Sequence, residues 1–337
     1  MNARPGMRGL MMIRTKLPGL CAILLAFLCT GALPPARAAD AYPSRPIRLV
    51  VPFAAGSGTD AVARITAREL GEALKENVVV DNRPGANGAI AAELVAQAAP
   101  DGYTLFMTTN TTHSANPSLM KKLLYDPIRD FTPVARMGNL PFMLVVNPKL
   151  PVKTVSELIA WCRAHPGMSY ASGNSTGIVA GATLGRMARL DLLHVPYKST
   201  PPAMTDVIAG QVPMMFVDVA AGIANVKAGK LRALAVTTAQ RSRLLPELPP
   251  LAETPELKGF DITSWNGVFG PARLPPEIVA RLNRELSRIA TSKEVAPRFE
   301  ALGFEGFGQS PGQFAGFVAD ELVKWTKLVK DAGIQPE

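Results

Sequence analysis

Apolar strand-like runs alternate with helical patterns along nearly the whole chain, and that alternation limits the fold more than any other feature. Strands are expected at Ile47–Phe53, Val78–Val80, Thr104–Thr108, Phe142–Val146, Ser169–Ser172, His194–Tyr197, Val212–Val217 and Ala233–Thr237. Helices are expected at Asp60–Lys75, Ala89–Gln97, Val155–Arg163, Ile178–Ala188, Ala203–Ala209, Pro275–Ala290, Lys293–Leu302 and Pro311–Lys330. Most of the strand runs are continuously apolar, as in strands covered on both faces, so the pattern predicts an α/β fold with parallel sheets. Thr154 to Glu157 reads as a capping box, and Ser310-Pro311 places an N-cap before a first-turn proline.

Two of the strand-to-helix connections are built alike. The run ending at Phe53 opens into Ala54-Ala55-Gly56-Ser57-Gly58-Thr59-Asp60, and Met168–Ser172 opens into Gly173-Asn174-Ser175-Thr176-Gly177. A small-residue loop at a helix start leaves backbone N–H groups unbonded and aimed at one point, which suits an anion. Neither loop contains Lys or Arg. Recognition would rest on dipoles and neutral donors, with Ser57, Thr59, Asn174, Ser175 and Thr176 adding hydroxyl and amide groups. Hydrogen bonds to a charged group contribute roughly 1.5–3 kcal/mol each. Three or four of them reach roughly −8 kcal/mol, micromolar affinity, after the cost of closing around the ligand.

Each loop also admits a sharper reading. Gly56-Ser-Gly58-Thr-Asp-Ala61 matches a dinucleotide fingerprint, with Asp81 after the second strand. An exported protein that folds outside the cytoplasm has little access to such a cofactor. Gly173-Asn-Ser175-Thr-Gly177 matches the G-x-S-x-G nucleophile elbow. Among histidines, only His194 follows Ser175, and Asp191 is the single acid between them. A base and an acid within one short connection cannot easily form a triad. An exported serine hydrolase using Ser175 is therefore the alternative, and a non-catalytic binding protein the main reading.

Export is expected from the first residues. Met1–Lys16 carries Arg4, Arg8, Arg14 and Lys16 without an acid, Leu17–Cys29 is apolar, and Ala36-Arg37-Ala38 is an Ala-x-Ala cleavage site. The apolar stretch is shorter than the roughly 20 residues a membrane helix needs. Cleavage near Ala38 removes five basic residues and lowers the formal net charge from +9 to +4. A soluble periplasmic product is expected, a monomer with no nucleic-acid partner and no cofactor. Cys162 would be the one cysteine left, read as a small core residue. His113 and His165 have no metal-ligand spacing and read as ordinary surface or turn residues, so no metal site is expected.

Asp60 opens a helix pattern, so N-capping is its expected role, with bracing of the loop or contact to a ligand as alternatives. Asn110 follows the third strand at a ligand-facing position or a simple turn. Asp218 follows Val212–Val217, where it either caps the next helix or faces the cleft. Tyr197-Lys198-Ser199 is placed at the cleft rim. Phe131–Pro148 and Phe260–Pro271 run extended with Gly or Pro breaks and read as boundaries between two lobes, forming a hinge.

With these residues in view, the chain resembles the Bug-type solute-binding receptors of the tripartite tricarboxylate transporters. The similarity runs through Tyr42-Pro-Ser-Arg-Pro-Ile47, Asn82-Arg-Pro-Gly-Ala-Asn-Gly88, Pro100-Asp-Gly-Tyr103, Asn116-Pro-Ser-Leu119, Tyr125-Asp-Pro127 with Asp130-Phe131, and His194-Val-Pro-Tyr-Lys198. The resemblance implies a type II periplasmic-binding fold, two α/β lobes joined by two crossing strands around a ligand cleft. The expected layout is a signal peptide over 1–38, lobe 1 over 39–141, lobe 2 over 142–264, and a return to lobe 1 over 265–337. It implies a carboxylate held between the two loops, at Ala55, Gly56, Ser57, Gly58, Thr59 and Asp60 and at Gly173–Gly177, and delivery to membrane permease subunits or a sensor. Phe53, Asn110 and Asp218 complete the expected ligand-binding set. The chain departs from common members in reading Ala-Ala-Gly-Ser-Gly where many have Pro-Gly-Gly, and Ile178-Val179 where many have His-Leu.

Overall fold

The protein is described by a computed structural model over residues 42–337. The expected signal segment and its cleavage site lie outside the described residues. In chain order the elements are β1 (Ile47–Val51), α1 (Gly58–Leu74), β2 (Val78–Asn82), α2 (Ala89–Ala96), β3 (Thr104–Thr109), a π-helical turn (Thr111–Ala115) and α3 (Asn116–Leu119). Next come β4 (Phe131–Leu140), β5 (Phe142–Val146), α4 (Val155–Ala164), β6 (Met168–Ser172), α5 (Ser175–Ala188), β7 (Leu192–Pro196), α6 (Thr200–Ala209), β8 (Met214–Asp218), α7 (Val219–Lys227) and β9 (Arg232–Val236). The chain ends with β10 (Ser264–Pro271), α8 (Pro276–Thr291), α9 (Ala296–Glu300), β11 (Glu305–Gly306) and α10 (Pro311–Asp331).

The strands form two sheets, one per lobe. The first is ordered β11-β4-β10-β3-β1-β2 and the second β7-β6-β8-β5-β9. Both are mixed, which corrects the expectation of parallel sheets. β1 runs parallel to β2 and β3, while β10 is antiparallel to β3 and β4. In the second sheet β6 is parallel to β7 and β8, and β5 is antiparallel to β8 and β9. The antiparallel members include the strands next to the crossings between sheets. A continuous apolar run reports burial on both faces, and β5 and β8 are buried at every position, but it carries no strand direction.

Phe131–Pro148 and Phe260–Pro271, expected to run extended, do so. They contain β4, β5 and β10, the last two buried throughout. Only Pro141 separates β4 in the first sheet from β5 in the second. β10 returns beside β4, with Ser264 opposite Leu140.

Helix α10 serves both cores. Its start is fixed by Ser310, whose hydroxyl accepts from the Gln313 N–H while the Gln313 side chain reaches back to the Ser310 backbone. Phe314 and Val318 pack with Trp265, Phe269 and Phe106 of the first lobe. Trp325 and Val329, further along, pack with Leu158, Tyr170, Val179 and Leu184 of the second. The helix pins the lobes together at the back, opposite in role to the loops. Thr154 caps α4 through the Glu157 N–H, but the Glu157 carboxylate bonds Lys153 N rather than Thr154 N, so that box is half formed.

Candidate functional site

Helix α1 starts two residues earlier than its apolar pattern suggests. Ser57 is its N-cap, extended at φ −73°, ψ 159°, and its hydroxyl accepts from the Asp60 N–H at 3.2 Å. Asp60 is the third helical residue and not the cap, which corrects its expected role. Its carboxylate accepts from Gly56 N–H and Asn82 Nδ2, both at 2.9 Å, and from Arg64 Nε at 3.0 Å. Asp60 therefore braces the loop from inside. The N–H groups of Gly58 and Thr59, the first two of the helix, find no acceptor among the described residues.

Helix α5 begins the same way. Asn174 is its N-cap and accepts from the Gly177 N–H at 3.0 Å. The N–H groups of Ser175 and Thr176 are left without an acceptor among the described residues. Gly58, Thr59, Ser175 and Thr176 are all buried. Four buried N–H groups at the positive ends of two helices are costly unless an anion or other acceptor meets them.

The two starts face each other across the lobe boundary. Ala54 N–H donates to Ser199 Oγ at 3.0 Å, and Ser175 Oγ donates to Thr111 Oγ1 at 2.9 Å. Asn110 Nδ2 donates to Thr176 Oγ1 at 3.0 Å, while Ser264 Oγ donates to Asn110 Oδ1 at 2.6 Å. Asn110 thus ties the first lobe and strand β10 to the start of α5. Close backbone approach requires glycine at Gly173, where a Cβ would lie 2.2 Å from the backbone of Ser199 and Thr200.

Between these loops lies a cavity of about 10 Å³, lined by Phe53, Ser57, Thr59, Asn174, Thr176 and Asp218 of the expected residues. The space is that of about one water, so the lobes are closed and a larger guest enters only when they part. Thr109, Thr111, Leu140, Phe142, Thr200 and Ser264 also line it, and the sequence reading missed all six. Thr109, Thr111 and Asn110 belong to a polar run at the carboxyl end of β3 that is wholly buried. In open α/β sheets that end of a strand is where ligands sit, a signal available from the order of elements. Ala55 and Gly56 are exposed on the outer side of their loop.

Asp218 performs both of its expected roles. Its Oδ1 accepts from Ala221 N–H at 2.8 Å, capping α7, and its side chain lines the cavity. It is buried, and loss of hydration raises its carboxyl from 3.8 to about 6. Its carboxylate lies against the Cα of Gly58 in the opposite lobe, where a Cβ would come 1.9 Å from Oδ1.

The elbow reading of Ser175 finds no base. Ser175 Oγ bonds Thr111, while His194 Nε2 lies 2.6 Å from Ser172 Oγ instead. His113, read as an ordinary surface or turn residue, lies in the π-helical turn but is fully buried there, stacked on Phe269 at 3.9 Å between ring centroids. Burial lowers its imidazole to about 3, so the ring is neutral. Cys162 is a free buried thiol, pushed up to about 11 by burial. Among the described residues no group of three metal-ligating side chains comes together.

Comparison with known proteins places this geometry. Residues 62–334 match the family model of the tripartite tricarboxylate transporter family receptor. The chain is 38% identical over 308 residues to the UPF0065 protein in the tcbD-tcbE intergenic region of Pseudomonas sp. (strain P51), covering 90% of this chain and 91% of that protein. It is similar to an R. palustris protein solved with adipate, at 35% identity and a TM-score of 0.86, covering 88% of this chain and 100% of that one. It is also similar to the periplasmic binding protein BugD, at 32% identity and a TM-score of 0.84, again covering 88% and 100%. The chain belongs to the tripartite tricarboxylate transporter receptor family, a family of solute-binding receptors.

Proposed function

We propose that this receptor captures a small carboxylate between its lobes in the periplasm and delivers it to the permease subunits of a tripartite tricarboxylate transporter or to a sensor. The observation that carries the reading is the set of four buried N–H groups, from Gly58, Thr59, Ser175 and Thr176, at two facing helix starts. Ser57, Thr59, Asn174 and Thr176 line the cavity between them and add side-chain donors or acceptors. No Lys or Arg lines that cavity. Dipoles and neutral donors then hold the anion with an affinity that still permits release.

The lobes are taken to meet near Pro141 and Ser264, where the chain passes between the sheets, and to swing apart there. Export through cleavage near Ala38 agrees with the basic, apolar and small-residue regions of residues 1–38. An adipate-bound relative supports a carboxylate as ligand class.

Thermal shift of the purified protein lacking residues 1–38, against a panel of mono-, di- and tricarboxylates, tests the proposal. A ligand that binds only the folded state stabilises it by about 2.7 kcal/mol at a hundredfold excess over Kd, and so raises the melting point with concentration. A response to nucleotides with none to any carboxylate contradicts it.

A further inference from the structure

The cavity has two chemical walls. The starts of α1 and α5 present N–H donors, whereas Asp218 presents a carboxylate. Helix α7 also points its positive end this way, but Asp218 already occupies that end through its bond to Ala221 N–H. The remaining anion capacity therefore lies at α1 and α5. Besides Ala221 N–H and its own backbone N–H, no group of the described residues donates to the Asp218 carboxylate, and the residue is 3% exposed. An acceptor so placed is stable beside a donor and costly beside another anion.

Contact with Gly58 fixes where that donor must be. The Asp218 carboxylate touches the Cα of Gly58, and the Gly58 N–H is one of the four proposed to hold the ligand carboxylate. A ligand carboxylate seated there is next to Asp218, and like charges at that separation repel. A donor on the carbon adjoining the ligand carboxylate would stand between them.

We propose that Asp218 is a specificity-determining residue that selects carboxylates bearing a hydroxyl or ammonium group on the adjoining carbon. The ligands of this class are 2-hydroxy and 2-amino acids, with the unsubstituted acids rejected. The inference rests on the carboxylate reading of the same cavity. Oδ1 caps α7 while Oδ2 takes the ligand donor. In Asp218→Asn the amide oxygen keeps the cap, which turns the amide nitrogen toward the ligand as a donor. Preference for a hydroxyl or ammonium should then disappear while carboxylate binding persists.

Calorimetry with three matched sets tests this: propionate, lactate and alanine; succinate, malate and aspartate; phenylacetate, mandelate and phenylglycine. In the native protein at least one hydroxy or amino acid should bind about tenfold or more tighter than its unsubstituted partner. In Asp218→Asn that ratio should fall toward one. Asp218→Ser keeps a cap acceptor and serves if the Asn variant does not fold, as judged by circular dichroism. Equal native affinity within every set that binds overturns the inference and leaves the carboxylate reading standing. A preference that survives in the variant also overturns it. Absence of binding across all nine compounds counts against the carboxylate reading itself, and the inference falls with it.

Discussion

The Asp218 carboxylate of one lobe rests on the bare Cα of Gly58 in the other, so close that a single added methyl would stand 1.9 Å from Oδ1. Neither residue can be understood from its own lobe. Gly58 is the first residue of a helix, where glycine has no conformational merit over serine or alanine. Its value is the absence of a side chain when the lobes close.

Gly58→Ala should therefore leave the fold intact and oppose closure. Asp218 cannot simply swing aside, because its Oδ1 holds the Ala221 N–H. Carboxylate affinity, measured by calorimetry, should fall about tenfold or more. Adding Asp218→Ser to the same chain makes room and should recover part of that loss. Undiminished affinity in the single variant would show that closure does not bring these residues together.

Gly173→Ala meets backbone instead. Its Cβ would lie 2.2 Å from Ser199 C and Thr200 N, which no rotamer change relieves. Overpacking of this kind costs about 1–3 kcal/mol. Chemical denaturation should register that loss together with weaker binding, and no second-site truncation at a side chain should repair it.

Much of this was legible in the sequence, and the gaps have physical causes. The run Phe142–Val146 is an expected strand and an observed one, because each of its positions is buried and apolar. The strand β4 is interrupted by Pro133, Gly138 and Asn139, which mimic a loop. It is held by pairing with β10, far along the chain, and local pattern does not encode such pairing. The polar run Thr108–Asn116 carries no apolar pattern that would mark it as buried. It is buried because its side chains bond one another, the opposite lobe and Tyr125, as Thr108 with Thr112 and Asn116 with Tyr125 show. His113 sits in a turn, one of its expected settings, and is buried for the same reason.

His113 and Asp218 act oppositely on stability in acid. Burial depresses the folded-state value of His113 from 6.5 to about 3. Its contribution is thus complete above pH 6.5 and is lost as pH falls from there toward 3, by roughly 3–5 kcal/mol. Asp218 is raised from 3.8 to about 6, so its contribution is complete below pH 3.8 and is lost as pH rises through 6. His113→Phe keeps the stack on Phe269 and removes only the titration and one bond to Thr112. Between pH 6.5 and 4 the variant should lose less stability to denaturant than the parent. Equal losses would mean that His113 is protonated in the folded state.

Glu321 joins β10 to α10. Its Oε2 accepts from the indole N–H groups of Trp265 on β10 and Trp325 on α10, at 3.1 and 3.0 Å. Glu321→Leu leaves both buried donors without a partner, at about 1–3 kcal/mol each. It also removes a negative charge that acts on the buried Arg136 guanidinium. Unfolding followed by tryptophan emission should show a loss of roughly 2–6 kcal/mol and an altered native emission. Native-like stability would mean that the two indoles find other acceptors.

A crystal structure of the protein with a bound carboxylate tests the central claim most directly. The account predicts ligand carboxylate oxygens within about 2.7–3.1 Å of the N–H groups of Gly58, Thr59, Ser175 and Thr176, drawn from both lobes. A ligand held by one lobe alone, or lodged away from residues 57–59 and 174–176, would contradict it.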